Sequence, residues 1–491
     1  MAHRMGPPPP GRPKSWVKFT PTTCKINRRT YPHVSFTSQR FQQVAWTHNG
    51  CLCNEIIALQ YRHQVATPPV LDEIDKNIFL ELLKNNPIQL HPWKKWRVIN
   101  TYQGAWKHKY MAAKEKLDNF GWSDSYAIIN LFTKDDLELD SPLKAPRAIQ
   151  YRHPCFMLQH GTFIKPIEKW FYSLKDEYDT RIVGKADSFT LANDLIQKSL
   201  QFSDPVFLLL DASKFDSCVD IKWLKYTHWC YQKLFKSGNK MLRKLCQLTI
   251  INRGRSRRGI RYRTSGTRMS GDMDTGLGNS IIMWTLLKGF LLHLQIKGSI
   301  YVNGDDSVVV IERRNLSKTK DMAYFKRFGF NMKYEVATSL SEVEFCQARL
   351  LETDYGFTMA RNPARIIGKM GWSTASYGAR KVRSHVHTLG LCERAASWGV
   401  PIASSIATAF IEATPWAKFR VLNTWLREYY ASMQKWWKQG APVISMQTRV
   451  NYENTWGITV AEQIAFENSI KVVISRQMTS LQRYQLDLLV E

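Results

Sequence analysis

The sequence is short of acidic residues. There are 41 Asp and Glu against 69 Lys and Arg, a formal charge of +28. An excess that large points to a polyanionic partner, nucleic acid or an anionic membrane surface. A merely soluble basic protein is the plain alternative. Long apolar runs are missing. The longest, "SIIMWTLLKGFLLHLQI" (Ser280–Ile296), is short for a membrane span and carries Lys288 and His293, so it reads as a buried core helix. No transmembrane segment is read in the chain, so any membrane association is expected to come from a partner, a lipid-facing surface or a segment outside this sequence. The nine cysteines are scattered and odd in number, so no disulfide framework is legible. His48, Cys51 and Cys53 in "HNGCLCNE" lack a second ligand pair at zinc spacing, and idle thiols explain them better. The opening "MAHRMGPPPPGRPKSW" is polar and basic rather than a secretory signal, so a reducing, intracellular setting is expected. Residues 1–14 read as a disordered or flexible arm. No internal repeat is visible.

What is present is a chain of 491 residues, 44% hydrophobic, long enough for a sizeable core. In "PVFLLLDASKFDS", Val206–Leu210 is a short apolar run that stops at Asp211, as a strand buried on both faces would. A helical pattern follows, with Val219, Trp223, Tyr226 and Cys230 on one side. Then come the arginine-dense "NRGRSRRGIRYR" and a Gly-rich loop, "TSGTRMSGDMDTGLGN", that opens the apolar helix. "GSIYVNGDDSVVVIE" (Gly298–Glu312) reads as a β-hairpin turning at Asn303-Gly304. "AYFKRFGFNMKYEV" reads as a helix stopping at Gly329, and "EVEFCQARLL" as one strand. From about Thr358 onward the pattern is mostly helical and rich in aromatics: Trp416, Trp425, Tyr429, Tyr430, Trp436, Trp437, Tyr452 and Trp456. These read as packing residues rather than base-stacking platforms. Strands and helices alternate only in the middle third, so the fold class is α+β, a core sheet between two helical regions.

The chemistry rests on carboxylates. Asp211 ends one buried strand, and Asp305 and Asp306 cap a hairpin of two others. If these strands are neighbours, the carboxylates converge at one sheet edge. Carboxylates that close repel one another and need a cation, and oxygen-only ligation selects Mg²⁺ or Mn²⁺. Two such ions are a standard device for phosphoryl transfer. Asp216 lies five residues past Asp211 and on another side of either a strand or a helix, so it has a different job. It could face a substrate's sugar or cap the following helix, and local sequence does not choose. Ser270, Thr275 and Asn279 sit in or beside the Gly-rich loop, and Ser and Asn side chains suit a ribose hydroxyl.

"DASKFD", "SGDMDTGLGN", "NGDD" and "EFCQ", in this order, resemble motifs A, B, C and E of viral RNA-dependent RNA polymerases. "KAPRAIQYRHP" with "GTFIKPIEKWFY" is similar to motif F of the tombusvirus-like plus-strand group, and "AYFKRFGFNMKY" occupies the motif D position. The resemblance runs from about Tyr102 to Val400. It implies a right-hand polymerase with fingers, a palm carrying an antiparallel catalytic sheet, and a helical thumb. Residues 1–100 would be an N-terminal extension leading into the fingers; 101–205 fingers; 206–229 palm; 230–265 a fingers insertion; 266–355 palm; and 356–491 thumb and C-terminal region.

The resemblance also implies roles. Asp211 and Asp305, with Asp306 in support, would hold two Mg²⁺ ions, or Mn²⁺ in their place. Asp216, Ser270 and Asn279, helped by Thr275, would sense the ribose 2′-hydroxyl. Arg147 and Arg152, with Lys134 and Lys144, would neutralise the incoming triphosphate. Lys333 or Lys326 would be the general acid for pyrophosphate, and Thr101-x-x-Gly104 a template contact. Asp274 stands where many relatives carry Asn. Arg253, Arg255, Arg257, Arg258, Arg261 and Arg263 lead into the ribose loop and are expected to meet template RNA rather than form only a solvated basic loop. The implied partners are template and product RNA, NTPs, other viral replicase proteins and, indirectly, host membranes. The implied location is the host cytoplasm, in a membrane-associated replication complex. The rivals are a reverse transcriptase, against which the ribose loop argues, and a non-catalytic RNA-binding or packaging protein, which the charge fits but the carboxylates do not.

Overall fold

The computed structural model describes residues 16–18, 30–32, 34–35, 45–63, 66–139, 145–236, 239–419 and 440–474. The N-terminal arm, Lys144, Trp425, Tyr429, Tyr430, Trp436 and Trp437 lie outside these residues. The expected α+β class is observed: helices surround several separate, largely antiparallel sheets.

The central sheet has four antiparallel strands in the order Gly298–Asn303, Asp306–Glu312, Pro205–Ala212, Met332–Ala337. Its apolar runs exist because both faces are covered. Leu208, Leu210, Ile300, Val302, Val309 and Ile311 join the largest core cluster, which includes the helices Ile221–Leu234 and Thr275–His293. Phe207, Tyr301, Val308 and Val310 pack the other way, against Ala192, Leu195, Phe345 and Met359. The Ser280–Ile296 segment is thus a core helix, Thr275–His293, buried over most of its length. Among the described residues no helix is long and apolar enough to cross a membrane.

Three details of the sequence reading change. The hairpin's two-residue loop is Gly304-Asp305, because Asn303 pairs with Asp306 across the ladder. Gly304 has a φ of 68° and Asp305 keeps an ordinary negative φ, the pattern of a type II′ turn. "EVEFCQARLL" is not one strand. Glu344–Phe345 and Ala348–Thr353 are two, joined by Cys346-Gln347 with φ of 53° and 63°. The helix before Gly329 is short, Ala323–Arg327, and the chain then returns as the edge strand Met332–Ala337.

A second sheet, of five strands, runs in the order Trp16–Lys18, Arg261–Ser265, Ile251–Ser256, Ile129–Thr133, Ala148–Tyr151. One face buries Ile129, Leu131, Ala148 and Tyr262 against Leu52, Ile56 and Leu59. A separate C-terminal core gathers Val386, Ile406, Phe410, Tyr452 and Phe466. Tyr452 is fully buried there and Trp456 packs against it, as expected of packing aromatics, whereas Trp416 is exposed.

Candidate functional site: a carboxylate edge beside a polar clamp

The ladder register brings the key carboxylates together. Asp306 stands directly opposite Asp211 on the neighbouring strand, and Asp305 sits in the turn beside them. Gly304 keeps the turn tight, and its N–H donates to Ser280 Oγ at 2.9 Å, which ties the tip to the core helix. The tips of Asp305 and Asp306 are open, yet the surrounding protein strips water from both. Burial raises the Asp305 carboxyl, and the Asp211 charge adds to it. Burial, then Asp305 and Asp211, push Asp306 up to about 6. Burial is the larger cause in both, and the neighbouring carboxylates add repulsion to it. As placed, the three carboxylates are not gathered into a metal-holding group: among the described residues, no three or more His, Cys, Asp or Glu side chains are grouped so that they could hold a metal ion. That includes His48, Cys51 and Cys53. Among the described residues no two cysteines form a disulfide.

Asp306 also has a second neighbour. The Cys346-Gln347 turn brings the Cys346 thiol to Asn303, whose Nδ2 donates to Sγ at 3.3 Å. Burial, with the nearby Asp306 charge, pushes that thiol up to about 12. On the other side of the strand, Lys333 stands directly opposite Asp211, with Nζ 4.0 Å from Oδ2. Lys326 is exposed on the short helix Ala323–Arg327, which buries Tyr324 and Phe325. Arg147 is exposed and close enough for its charge to oppose the rise in Asp305. Lys134 pairs with Asp136 at 2.9 Å.

The Gly-rich loop places its residues unequally. Asn279 Nδ2 donates to Asp216 Oδ1 at 2.9 Å, so these two meet. Burial, helped by Asp305, pushes the Asp216 carboxyl up to about 6, while Asn279 and Arg268 pull against it. The capping job falls to Asp220 instead, which accepts from the Trp223 N–H at 3.0 Å. Ser270 Oγ donates to the Ala148 carbonyl at 2.9 Å, and Thr275 Oγ1 donates to the Met269 carbonyl at 2.7 Å. Both hold the loop's backbone. Tyr102, inside Thr101-x-x-Gly104, touches the same loop through Met273, 3.5 Å from its hydroxyl.

Arg152 is not placed for the triphosphate role expected of it. It is 1% exposed, and its guanidinium is spent on Asp272, Asn252 and the Ala127 carbonyl. A side chain so enclosed cannot reach a triphosphate in the cleft. Its ion pair with Asp272 pins the Gly-rich loop to the start of the Pro154–Phe171 helix.

The arginine run forms a hairpin, not a loose loop. Arg253, Arg255, Arg261 and Arg263 alternate with buried Asn252, Gly254, Tyr262 and Thr264, so the four line one face. Arg255 lies directly opposite Arg261, and Arg253 opposite Arg263. Like charges directly opposed cost stability, which a polyanion would repay. At the turn, Arg257 covers the Phe132 ring at 4.7 Å, and Arg258 Nε donates to the Gly50 carbonyl.

The central antiparallel sheet thus presents carboxylates at one end, beside a polar Gly-rich loop. Residues 23–475 match the family model described as viral RNA dependent RNA polymerase, and the chain belongs to that family. It is 29% identical over 398 residues to the RNA-directed RNA polymerase of groundnut rosette virus (strain MC1), covering 77% of this chain and 46% of that protein. Against the RNA-directed RNA polymerase of tomato bushy stunt virus (strain Cherry), identity is 29% over 388 residues, covering 76% and 46%. Against that of tobacco necrosis virus (strain A) it is 28% over 441 residues, covering 86% and 61%. The chain spans about half the length of the first two relatives.

Proposed function

We propose that this chain carries out RNA-templated RNA synthesis for a plus-strand RNA virus, by attack of a 3′-hydroxyl on the α-phosphate of an NTP with release of pyrophosphate. The observation that carries the reading is the register of Asp306 against Asp211, with Asp305 at the turn beside them. Asp211 and Asp305, with Asp306 in support, would hold two Mg²⁺ ions, or Mn²⁺. When bound, the ions would acidify the attacking hydroxyl and neutralise charge on the leaving pyrophosphate. Arg147 and Lys134 would steady the triphosphate. Asp216 and Asn279 would read the 2′-hydroxyl, on a loop shaped by Ser270 and Thr275. Lys333, opposite Asp211, is the better of the two candidate proton donors to pyrophosphate. The outer face of the arginine hairpin would hold template RNA.

The same reading assigns the central sheet to a palm, the five-stranded sheet to fingers, and the C-terminal helices to a thumb. It extends to the partners, viral replicase proteins in a membrane-associated complex of the host cytoplasm. A reverse transcriptase fits less well, since the Asp216–Asn279 pair presents a donor and an acceptor to a ribose hydroxyl. A packaging protein would have no use for a desolvated carboxylate edge. The test is primer-free extension on a defined RNA with Mg²⁺, offered NTPs or dNTPs. Template-dependent NTP incorporation is expected; a preference for dNTPs, or RNA binding with no incorporation, would overturn the proposal.

A further inference from the structure

Asn279 has two polar ends, and both are engaged. Its Nδ2 donates to Asp216, while its Oδ1 accepts from Arg268 Nε at 3.3 Å. Arginine can only donate, and an ionised carboxylate can only accept. Rotating the amide by half a turn would set N–H against N–H at one end and oxygen against oxygen at the other. Arg268 and Asp216 together therefore fix which way Asn279 faces, Arg268 at the oxygen end.

Arg268 is itself clamped. Its side chain is 3% exposed, and Nη1 donates to Asp274 Oδ2 at 2.6 Å. That oxygen also accepts from the Tyr231 hydroxyl at 3.0 Å. Burial alone would raise the Asp274 carboxyl, but the Arg268 guanidinium, joined by His160 and His228, holds it well below the usual range. The Arg268 N–H donates to the Asp216 carbonyl at 2.9 Å, so backbone and side chain of one residue grip both members of the pair. Gly278 completes the fit. A Cβ there would lie 2.2 Å from Arg268 Nη2, so only glycine leaves room for the guanidinium.

We propose that Arg268, locked by Asp274, is a specificity-determining positioning residue that fixes the Asn279 amide toward Asp216 and so sets ribose over deoxyribose selection. This rests on the reading of Asp216 and Asn279 as the ribose sensors. Neither Arg268 nor Asp274 touches the nucleotide; both act through Asn279. The fixed amide leaves one N–H and one carboxylate oxygen side by side, which a hydroxyl satisfies and a hydrogen does not. A site built to bond a hydroxyl rejects the analogue lacking it strongly.

The experiment measures the ratio of kcat/KM for an NTP and its 2′-deoxy analogue, in the purified chain with Mg²⁺ on one RNA template. The variants are Arg268→Lys, Asp274→Asn, Asn279→Ala and the double variant of Arg268→Lys with Asn279→Ala. Lysine keeps the charge but lacks the second arm, so Arg268→Lys should lower the ratio roughly tenfold, as expected when one charge-assisted hydrogen bond is removed. Asp274→Asn, of equal size, should lower it less, and it decides the matter if the lysine variant does not fold. Because Arg268 acts through Asn279, the double variant should discriminate no worse than Asn279→Ala alone. If Asn279→Ala lowers the ratio while Arg268→Lys and Asp274→Asn leave it unchanged, or if the losses simply add, the positioning role is wrong and the ribose reading stands. If Asn279→Ala leaves the ratio unchanged, the ribose reading fails and this inference falls with it.

Discussion

Lys333 and Lys326 compete for one role, and their surroundings separate them. Lys333 pairs in register with Asp211, its Nζ 4.0 Å from Oδ2, whereas Lys326 sits on the separate short helix Ala323–Arg327. A general acid must stand within reach of the group it protonates. Lys333→Met should therefore slow nucleotide incorporation by about 10²-fold or more, a typical general-acid contribution. Lys326→Met should leave it nearly unchanged, and single-turnover kinetics would reveal the reverse order. The same scale shows where sequence reasoning stops. Asp211, Asp305 and Asp306 are legible because each ends or opens an apolar run abruptly. Arg268 and Asp274 are not, because their meaning lies in a meeting of the loop with Asn279 that no local pattern announces. Arg152 misleads for a related reason. A positive charge in a basic stretch looks the same whether it faces a cleft or, as here, a buried Asp272.

At the scale of elements, the arginine hairpin carries two opposed pairs on one exposed face. Replacing Arg255 and Arg261 together by Gln should weaken RNA binding and flatten its salt dependence. The log–log slope should fall by about 0.7 for each single-strand phosphate that is no longer neutralised. The thermal unfolding midpoint should also rise slightly, since a like-charge cross-strand pair is relieved. Weaker binding with an unchanged salt slope would show that these residues do not neutralise phosphates. In the sequence the hairpin reads only as a basic segment. Its strands are hidden because arginine masks the alternation that Asn252, Gly254, Tyr262 and Thr264 supply on the buried side. "EFCQ" reads straight through for the opposite reason. Its turn has none of the Gly or Asn that positive φ favours, yet Cys346 and Gln347 both adopt it. The edge strand Met332–Ala337 escapes because only one of its sides is paired and its residues are mostly solvent-facing.

At the scale of the whole molecule, the α+β class and the central sheet follow from apolar runs, because that sheet is buried on both faces. The C-terminal core does not, since its helices meet only in tertiary packing. The interior of the protein also sets an acid limit. Burial lowers His228 to about 3 and His385 to about 4, and lowers His160. The unfolded chain titrates these groups near 6.5, so below that pH it binds more protons than the folded one. Stability is thus fully present above about pH 6.5 and falls as pH drops, by up to about 1.4 kcal/mol per pH unit for each group. His228→Gln should flatten this slope between about pH 6.5 and 4.5 in equilibrium unfolding; an unchanged slope would mean that His228 is not charged on unfolding in that range.

The carboxylate edge is the centre of the proposed chemistry, and Asp305→Asn tests it most directly. The variant is nearly isosteric and should leave RNA affinity close to that of the parent chain. Template-dependent NTP incorporation with Mg²⁺ should be abolished. Full incorporation by Asp305→Asn, measured beside the parent on the same RNA, would contradict the assignment of that edge as the catalytic centre.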